Sequence, residues 1–274
     1  MNKIKIGIIG GTGFDNPDIL KERKEIEMTT RFGPPSDSVV VEGKISGVLC
    51  VLVSRHGKDH SITPSKVNYR ANIWALKELG CTHIIASTAT GSLKEEIKPG
   101  DIVIPDDFID RTYKRTQSFY DGDADSLQGV FHLPMHPPFC EPLRKLIINT
   151  AKEIDIDCHD GGTVVTIEGP RFSSKSESKM FQMFGCALVN MSTVPEVMLA
   201  KEAGILYAAI AMATDYDCWK EDYDNVSHAS VQETFKQNVD KVLKLITTII
   251  PKIAEKNWDN DILEAKELIE SSMM

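Results

Sequence analysis

Short apolar, β-branched runs alternate with helix-patterned segments along the chain, and this alternation constrains the fold more than any other feature. The runs occupy residues 6–9, 39–41, 48–53, 83–87, 101–104, 162–167, 188–191 and 206–213. Several are apolar at consecutive positions, as strands covered on both faces are. Residues 64–79 follow Thr63 as N-cap and Pro64 at the first helical position, and stop at Gly80. Thr193 and Glu196 then have capping-box spacing, Pro195 falls in the first turn and Gly204 closes that segment. An amphipathic pattern fills residues 229–250 and a charged one fills 259–270. Helices between apolar strands predict an α/β fold with a mostly central sheet. No repeat or Pro/Gly/Ser-rich linker divides the 274 residues, so 1–274 reads as a single domain, long enough to bury a sizeable core.

Charge then narrows the partners. A formal net charge of −9 argues against a nucleic-acid-binding surface and against an anionic membrane, so any anion must be held locally. Apolar content of 42% and charged content of 26% are those of an ordinary soluble globule. No apolar run approaches the roughly 18–20 residues of a membrane span, and the first residues lack a secretory h-region, which predicts a cytoplasmic protein. The six cysteines form no CxxC and are expected as reduced thiols. His56 and His60 are spaced as half a zinc site, but the glutamate of HExxH is absent and Pro64 follows, so no metal is expected.

In α/β sheets ligands sit beyond the carboxyl ends of strands, so the residues after each apolar run carry the functional signal. After 6–9 comes Gly10-Gly11-Thr12-Gly13, a turn whose bare N–H groups can face an anion. A dinucleotide fingerprint would need a third glycine where Asn16 stands, and no Walker Gly-Lys-Ser/Thr follows. A free phosphate, or a tight turn holding nothing, remains. After 48–53 come Ser54, Arg55 and His56; after 83–86 come Ser87, Thr88, Ala89, Thr90, Gly91 and Ser92. Hydroxyls, backbone amides and one guanidinium suit phosphate, for which Arg55 would supply a bidentate fork and Thr12 and Thr88 neutral donors. Two further ends are 190–196 and 211–219, the second carrying Asp215 and Asp217 after an apolar run. Buried carboxylates are costly unless hydrogen-bonded or used as acids, so this pair reads either as a turn or cap, or as a contact to a heterocycle with one member protonated.

The stretches IGIIGGTG, SRHGKDHSITPSKVNYRANIWALKELGCTHI, QSFYDG, TIEGPRFSS, STVPEVMLAKEAGI and AMATDYDCWKE together resemble the S-methyl-5′-thioadenosine phosphorylases, a branch of the trimeric purine nucleoside phosphorylase superfamily. The likeness runs nearly end to end. It implies a purine nucleoside phosphorylase-like α/β domain, its mixed central sheet partly barrel-like and flanked by helices, with the 259–270 helix near the active-site rim. It also implies a phosphate site of Thr12, Arg55, His56, Thr88 and Ser192, with the Ala89 backbone at its edge. Met191 would pack under the ribose, Phe172 and Ser173 would border the purine, and Asp215 and Asp217 would read adenine. His60, Val231 and the C-terminal residues would line the 5′ side, and His132 would reach in from the neighbouring subunit of a homotrimer. The implied activity needs no cofactor, since inorganic phosphate is a co-substrate.

Two positions depart from that branch. Ser192 stands where it has threonine, keeping the hydroxyl, and His228 stands where it has an apolar residue beside the methylthio group. An imidazole there can bond a 5′-hydroxyl, which implies adenosine as a second substrate. The alternatives to methylthioadenosine phosphorolysis are 6-oxopurine phosphorolysis and nucleoside binding without chemistry. The 6-oxopurine branch carries Phe-Glu-Thr and Thr-Asn-Lys where this chain has Phe172-Ser173-Ser174 and Thr214-Asp215-Tyr216-Asp217. Carboxylates accept from a 6-amino group and would meet a 6-oxo group lone pair to lone pair, so adenine is favoured.

Overall fold

The computed structural model describes residues 3–11, 17–222 and 227–274, with the backbone alone at residue 228. Its strands in chain order are β1 (Ile6–Gly10), β2 (Lys21–Glu27), β3 (Val39–Ile45), β4 (Val48–Ser54), β5 (His83–Ser92) and β6 (Ile102–Ile104). They continue as β7 (Asp107–Arg111), β8 (Cys158–Asp160), β9 (Thr163–Ile167), β10 (Leu188–Asn190) and β11 (Leu206–Asp215). The helices are α1 (Tyr69–Glu78), α2 (Glu141–Glu153), α3 (Lys175–Met183), α4 (Thr193–Glu202), α5 (His228–Glu255) and α6 (Asp259–Ser272). All strands join one mixed sheet of order β2-β3-β4-β1-β5-β10-β9-β7, and β11 on the other edge of β5 leads away to β6 and β8. This α/β architecture is the one expected from the alternating pattern.

Side-chain alternation along the strands makes two large cores, and a smaller third one gathers Leu93, Val165, Phe181 and Val189. Ile6 and Ile8 of β1, Ile85 of β5 and Ile210 of β11 pack with Leu143 of α2 and with Leu245, Ile246 and Ile249 of α5. Ile9, Ile84, Ala86 and Ala209 face the other way, against Ile73 and Leu76 of α1 and Val197 and Leu199 of α4. Each fully buried aliphatic side chain contributes about 1.5–3 kcal/mol. Gly7 permits the close approach of α1, since a Cβ there would lie 2.9 Å from Leu76 Cδ1.

β5 positions the site because it changes partners. Along one edge it pairs with β1 only as far as Ala86, and β10 takes up that edge at Gly91, antiparallel. Residues 87–90 are left between them, opening the sheet where β1 and β4 end. The hydroxyl-rich stretch expected beyond a strand therefore lies within one, held on its other edge by β11.

Other expectations need correction. The 64–79 segment is a 3₁₀ turn at Pro64–Lys66 followed by α1; Thr63 makes no side-chain cap bond, and Asn68 caps α1 by accepting from the Ala71 N–H. No capping box forms at Thr193: Ser192 is the N-cap, Val194 is extended, and the Glu196 side chain is used elsewhere. β2 and β7 carry no apolar run. β2 is almost wholly exposed, and its charged side chains suit a sheet edge that must not pair with another chain. All six cysteines are free.

Candidate active site

A cavity of about 330 Å³ opens where β5 parts from β1. Arg55, His56, Thr88, Ala89 and Ser192 line one part of it, Phe172, Ser173, Asp215 and Asp217 another, and His60, Met191 and Val231 complete it. Segments distant in sequence thus meet around one space. Thr12 lies outside the described residues, as does the side chain of His228. His132 is exposed and does not line this cavity; its N–H donates to Ser272 O, while Phe131 bridges Met273, tying this loop to the end of α6. No residue of α6 lines the cavity of its own chain.

The expected Arg55 fork is already occupied. Its Nε and Nη2 donate to Glu196 Oε2 and Oε1 at 2.8 and 2.9 Å, and Nη1 donates to Ser87 O at 2.9 Å. The Tyr207 hydroxyl donates to Glu196 Oε1 at 2.8 Å. The spacing of Glu196 from Thr193 fits a helix cap, and nothing local marks it as the partner of a residue 141 positions away. A guanidinium has five N–H bonds, so one on Nη1 and one on Nη2 remain for an anion. Gly11 allows this placement, because a Cβ there would lie 2.7 Å from Arg55 Nη1 and 2.8 Å from Ser87 O. The Gly11 N–H in turn donates to Ser87 Oγ. Strand geometry that turns the Ser87 carbonyl to the open edge turns the Ala89 N–H to it as well.

Asn190 links the hydroxyls on this side. Its Nδ2 donates to Thr88 Oγ1 at 3.2 Å and to Thr193 Oγ1 at 2.7 Å, and Thr88 Oγ1 lies 3.3 Å from Ser192 Oγ. Having accepted from Asn190, the Thr88 hydroxyl keeps its own proton, which donates to Ala89 O at 3.3 Å and can turn to an anion. His56 is kept neutral: burial, then the adjacent Arg55 charge, lowers its pKa to about 4. With Nδ1 2.8 Å from Ile62 O, the neutral ring places its proton there and leaves Nε2 as an acceptor, suited to a P–OH group.

The acid pair is buried for a reason the sequence did not show. β11 does not carry both carboxylates outward; it bulges at Thr214 and ends at Asp215, and Asp217 turns back with φ of 50°, a conformation that favours glycine. Burial pushes Asp215 up to about 6, although the Thr214 hydroxyl and the Asp217 N–H, both bonded to it at 2.7 Å, pull it down. Asp217 is raised by burial too. At neutral pH such a site can supply a proton or take one. Arg115, which follows no apolar strand and so carries no local signal, staples the cavity wall: Nη1 donates to the carbonyls of Met191 and Val194, and Nη2 to that of Glu168. Among the described residues no cluster of His, Cys, Asp and Glu could hold a metal ion, and no helix is long and apolar enough to cross a membrane.

A cavity with anion-suited donors at one part and a pair of raised acids at another, set in a branched mixed sheet, describes a class before it describes a protein. The chain belongs to the phosphorylase superfamily, whose profile matches residues 5–251. It is similar to the S-methyl-5′-thioadenosine phosphorylase of Aedes aegypti, with 62% identity over 272 residues, covering 99% of this chain and 97% of that one. The enzyme of that name from Xenopus tropicalis is 57% identical, covering 99% and 96%. Among solved structures, methylthioadenosine phosphorylase from Schistosoma mansoni in complex with adenine superposes with a TM-score of 0.96 at 45% identity, covering 99% of each chain. A variant of the Schistosoma mansoni adenosine/methylthioadenosine phosphorylase in complex with methylthioadenosine gives 0.95 at 45% identity, again covering 99% of each chain.

Proposed function

We propose that this protein cleaves S-methyl-5′-thioadenosine with inorganic phosphate, giving adenine and 5-methylthioribose 1-phosphate, and that it also accepts adenosine. The observation that carries this reading is the division of one cavity between the open β5 edge with Arg55 and the buried acids Asp215 and Asp217. Cleavage of the C1′–N9 bond sends its electron pair to the base and leaves cationic character on the sugar, so both charges need stabilising in the transition state. Phosphate, held by Arg55, Thr88, Ser192, Thr12 and the Ala89 N–H, stabilises the sugar cation and then bonds C1′. Asp215 delivers its proton to N7 of the departing adenine, and Asp217 accepts from the 6-amino group. Met191 supports the ribose, while Phe172 and Ser173 border the base. Hydrolysis by paired carboxylates would need a second acid on the far side of the bond, where the anion-suited donors lie instead.

His60, Val231 and His228 form the 5′ side in this reading. The adenosine/methylthioadenosine name of the Schistosoma mansoni relative supports adenosine as a second substrate, as does an imidazole at residue 228. A homotrimer completes the site: His132 and the C-terminal residues are tied together away from their own cavity, where a neighbouring subunit can receive them. The test is adenine release from methylthioadenosine with and without phosphate. Release that depends on phosphate supports phosphorolysis, and equal release in phosphate-free buffer refutes it.

A further inference from the structure

Thr214 has one hydroxyl proton and two neighbours that want it. Its Oγ1 lies 2.7 Å from Asp215 Oδ2 and 3.2 Å from Thr90 O, and it is buried. The β11 bulge brings this about: Ala213 pairs with Thr90 and Asp215 with Gly91, so Thr214 is the extra residue, set against the Thr90 carbonyl. With Asp215 ionised, Thr214 donates to Oδ2 and that contact with Thr90 O is no hydrogen bond. With Oδ2 protonated, the carboxylic acid donates to Thr214 and Thr214 donates to Thr90 O, so both contacts are hydrogen bonds. Oδ1 accepts from the Asp217 N–H in either state.

We infer that Thr214 is a positioning residue that reverses its own hydroxyl as the Asp215 proton leaves Oδ2, and so supplies the donor that favours the ionised carboxylate. The inference rests on the reading of Asp215 as the acid on the base side. In the step, the acid O–H turns from Thr214 to the base in the cavity, the Oδ2–H bond breaks, an N–H bond forms on the leaving base, and the electron pair of the C1′–N bond stays with the base. Thr214 breaks no bond; it turns from Thr90 O to the new carboxylate, so the ion is never without a donor at Oδ2. The turn after β11 faces Asp215 with the titratable Asp217 and Cys218, both raised by burial, and β5 faces it with Thr90 and Gly91, which do not titrate.

Infrared difference spectra of the full-length protein, titrated across about pH 4–9, follow the protonated-carboxyl stretch, and Asp215→Asn identifies the Asp215 band by its loss. Thr214→Val takes the charge-assisted donor at Oδ2 from the carboxylate, whereas the protonated acid can still turn its O–H to the cavity that Asp215 lines. The band midpoint should therefore rise by about one pH unit, a tenfold change in proton affinity. Thr214→Ser should restore the wild-type midpoint, and Thr214→Ala makes the same comparison if valine disturbs folding. An unchanged midpoint in the hydroxyl-free variants, a serine variant shifted as far as they are, or no band lost in Asp215→Asn would overturn the inference. Undiminished adenine release by Asp215→Asn would instead refute the acid role of Asp215, while the band still decides what Thr214 does.

Discussion

Replacing Glu196 by glutamine should unmask the buried charge of Arg55. Both side chains of the pair are 1% exposed, so solvent screens neither. The amide is nearly isosteric, but its oxygen can accept from only one arm of the guanidinium, and its NH₂ meets the other arm donor to donor. Breaking a buried pair by removing one charge costs about 3–5 kcal/mol. At about 2–4 °C per kcal/mol for a chain of this size, the melting temperature should fall by about 6–20 °C. Phosphate should recover more of the melting temperature in Glu196→Gln than it adds to the wild type, because it supplies the counter-charge that the variant lacks. Scanning calorimetry of both proteins, with and without phosphate, measures the two quantities. A fall below about 2 °C, or equal phosphate increments, would refute the argument that Glu196 neutralises Arg55 in the anion site.

Asp215→Asn should lower kcat/KM for adenine nucleosides by about 10²- to 10⁴-fold, because an amide cannot deliver the proton; a larger loss in Asp217→Asn would reverse the two roles. The same variant should be more stable than wild type at neutral pH. Asp215 keeps its proton to about pH 6 when folded and releases it near its ordinary value when unfolded, so wild-type stability falls as pH rises between them, by up to about 3 kcal/mol, an amount the variant does not lose. Urea melts at about pH 4 and pH 7 that show the same difference between the two proteins would contradict this. Arg55→Ala should raise the phosphate KM and lower kcat, and an unchanged phosphate KM would remove Arg55 from the anion site. His228→Val should depress kcat/KM for adenosine by about tenfold relative to methylthioadenosine, and equal effects on both substrates would show that His228 does not read the 5′ group.

The amino-acid sequence by itself determined the α/β class, because consecutive apolar residues at 6–9, 48–53 and 206–213 can be buried only in covered strands. Polar residues directly after such strands, Arg55, His56, Thr88, Asp215 and Asp217 among them, line the cavity, whereas Phe172, Ser173, Met191, His60 and Val231 were implied only by the resemblance. What escaped the sequence depends on partners remote in the chain. β2 and β7 are strands because a neighbour offers them hydrogen bonds, not because their side chains demand burial. Residues 87–90 read as a strand end, yet they form the open edge of a strand because β1 stops at Ala86 and β10 begins at Gly91. Glu196 has capping-box spacing, and only the tertiary structure brings Arg55 to it, where desolvation makes charge pairing outweigh a surface-grade helix cap. The raised pKa of Asp215 has the same origin. Periodicity records how much apolar surface a segment must hide; which polar groups lose their water together is decided when distant segments pack.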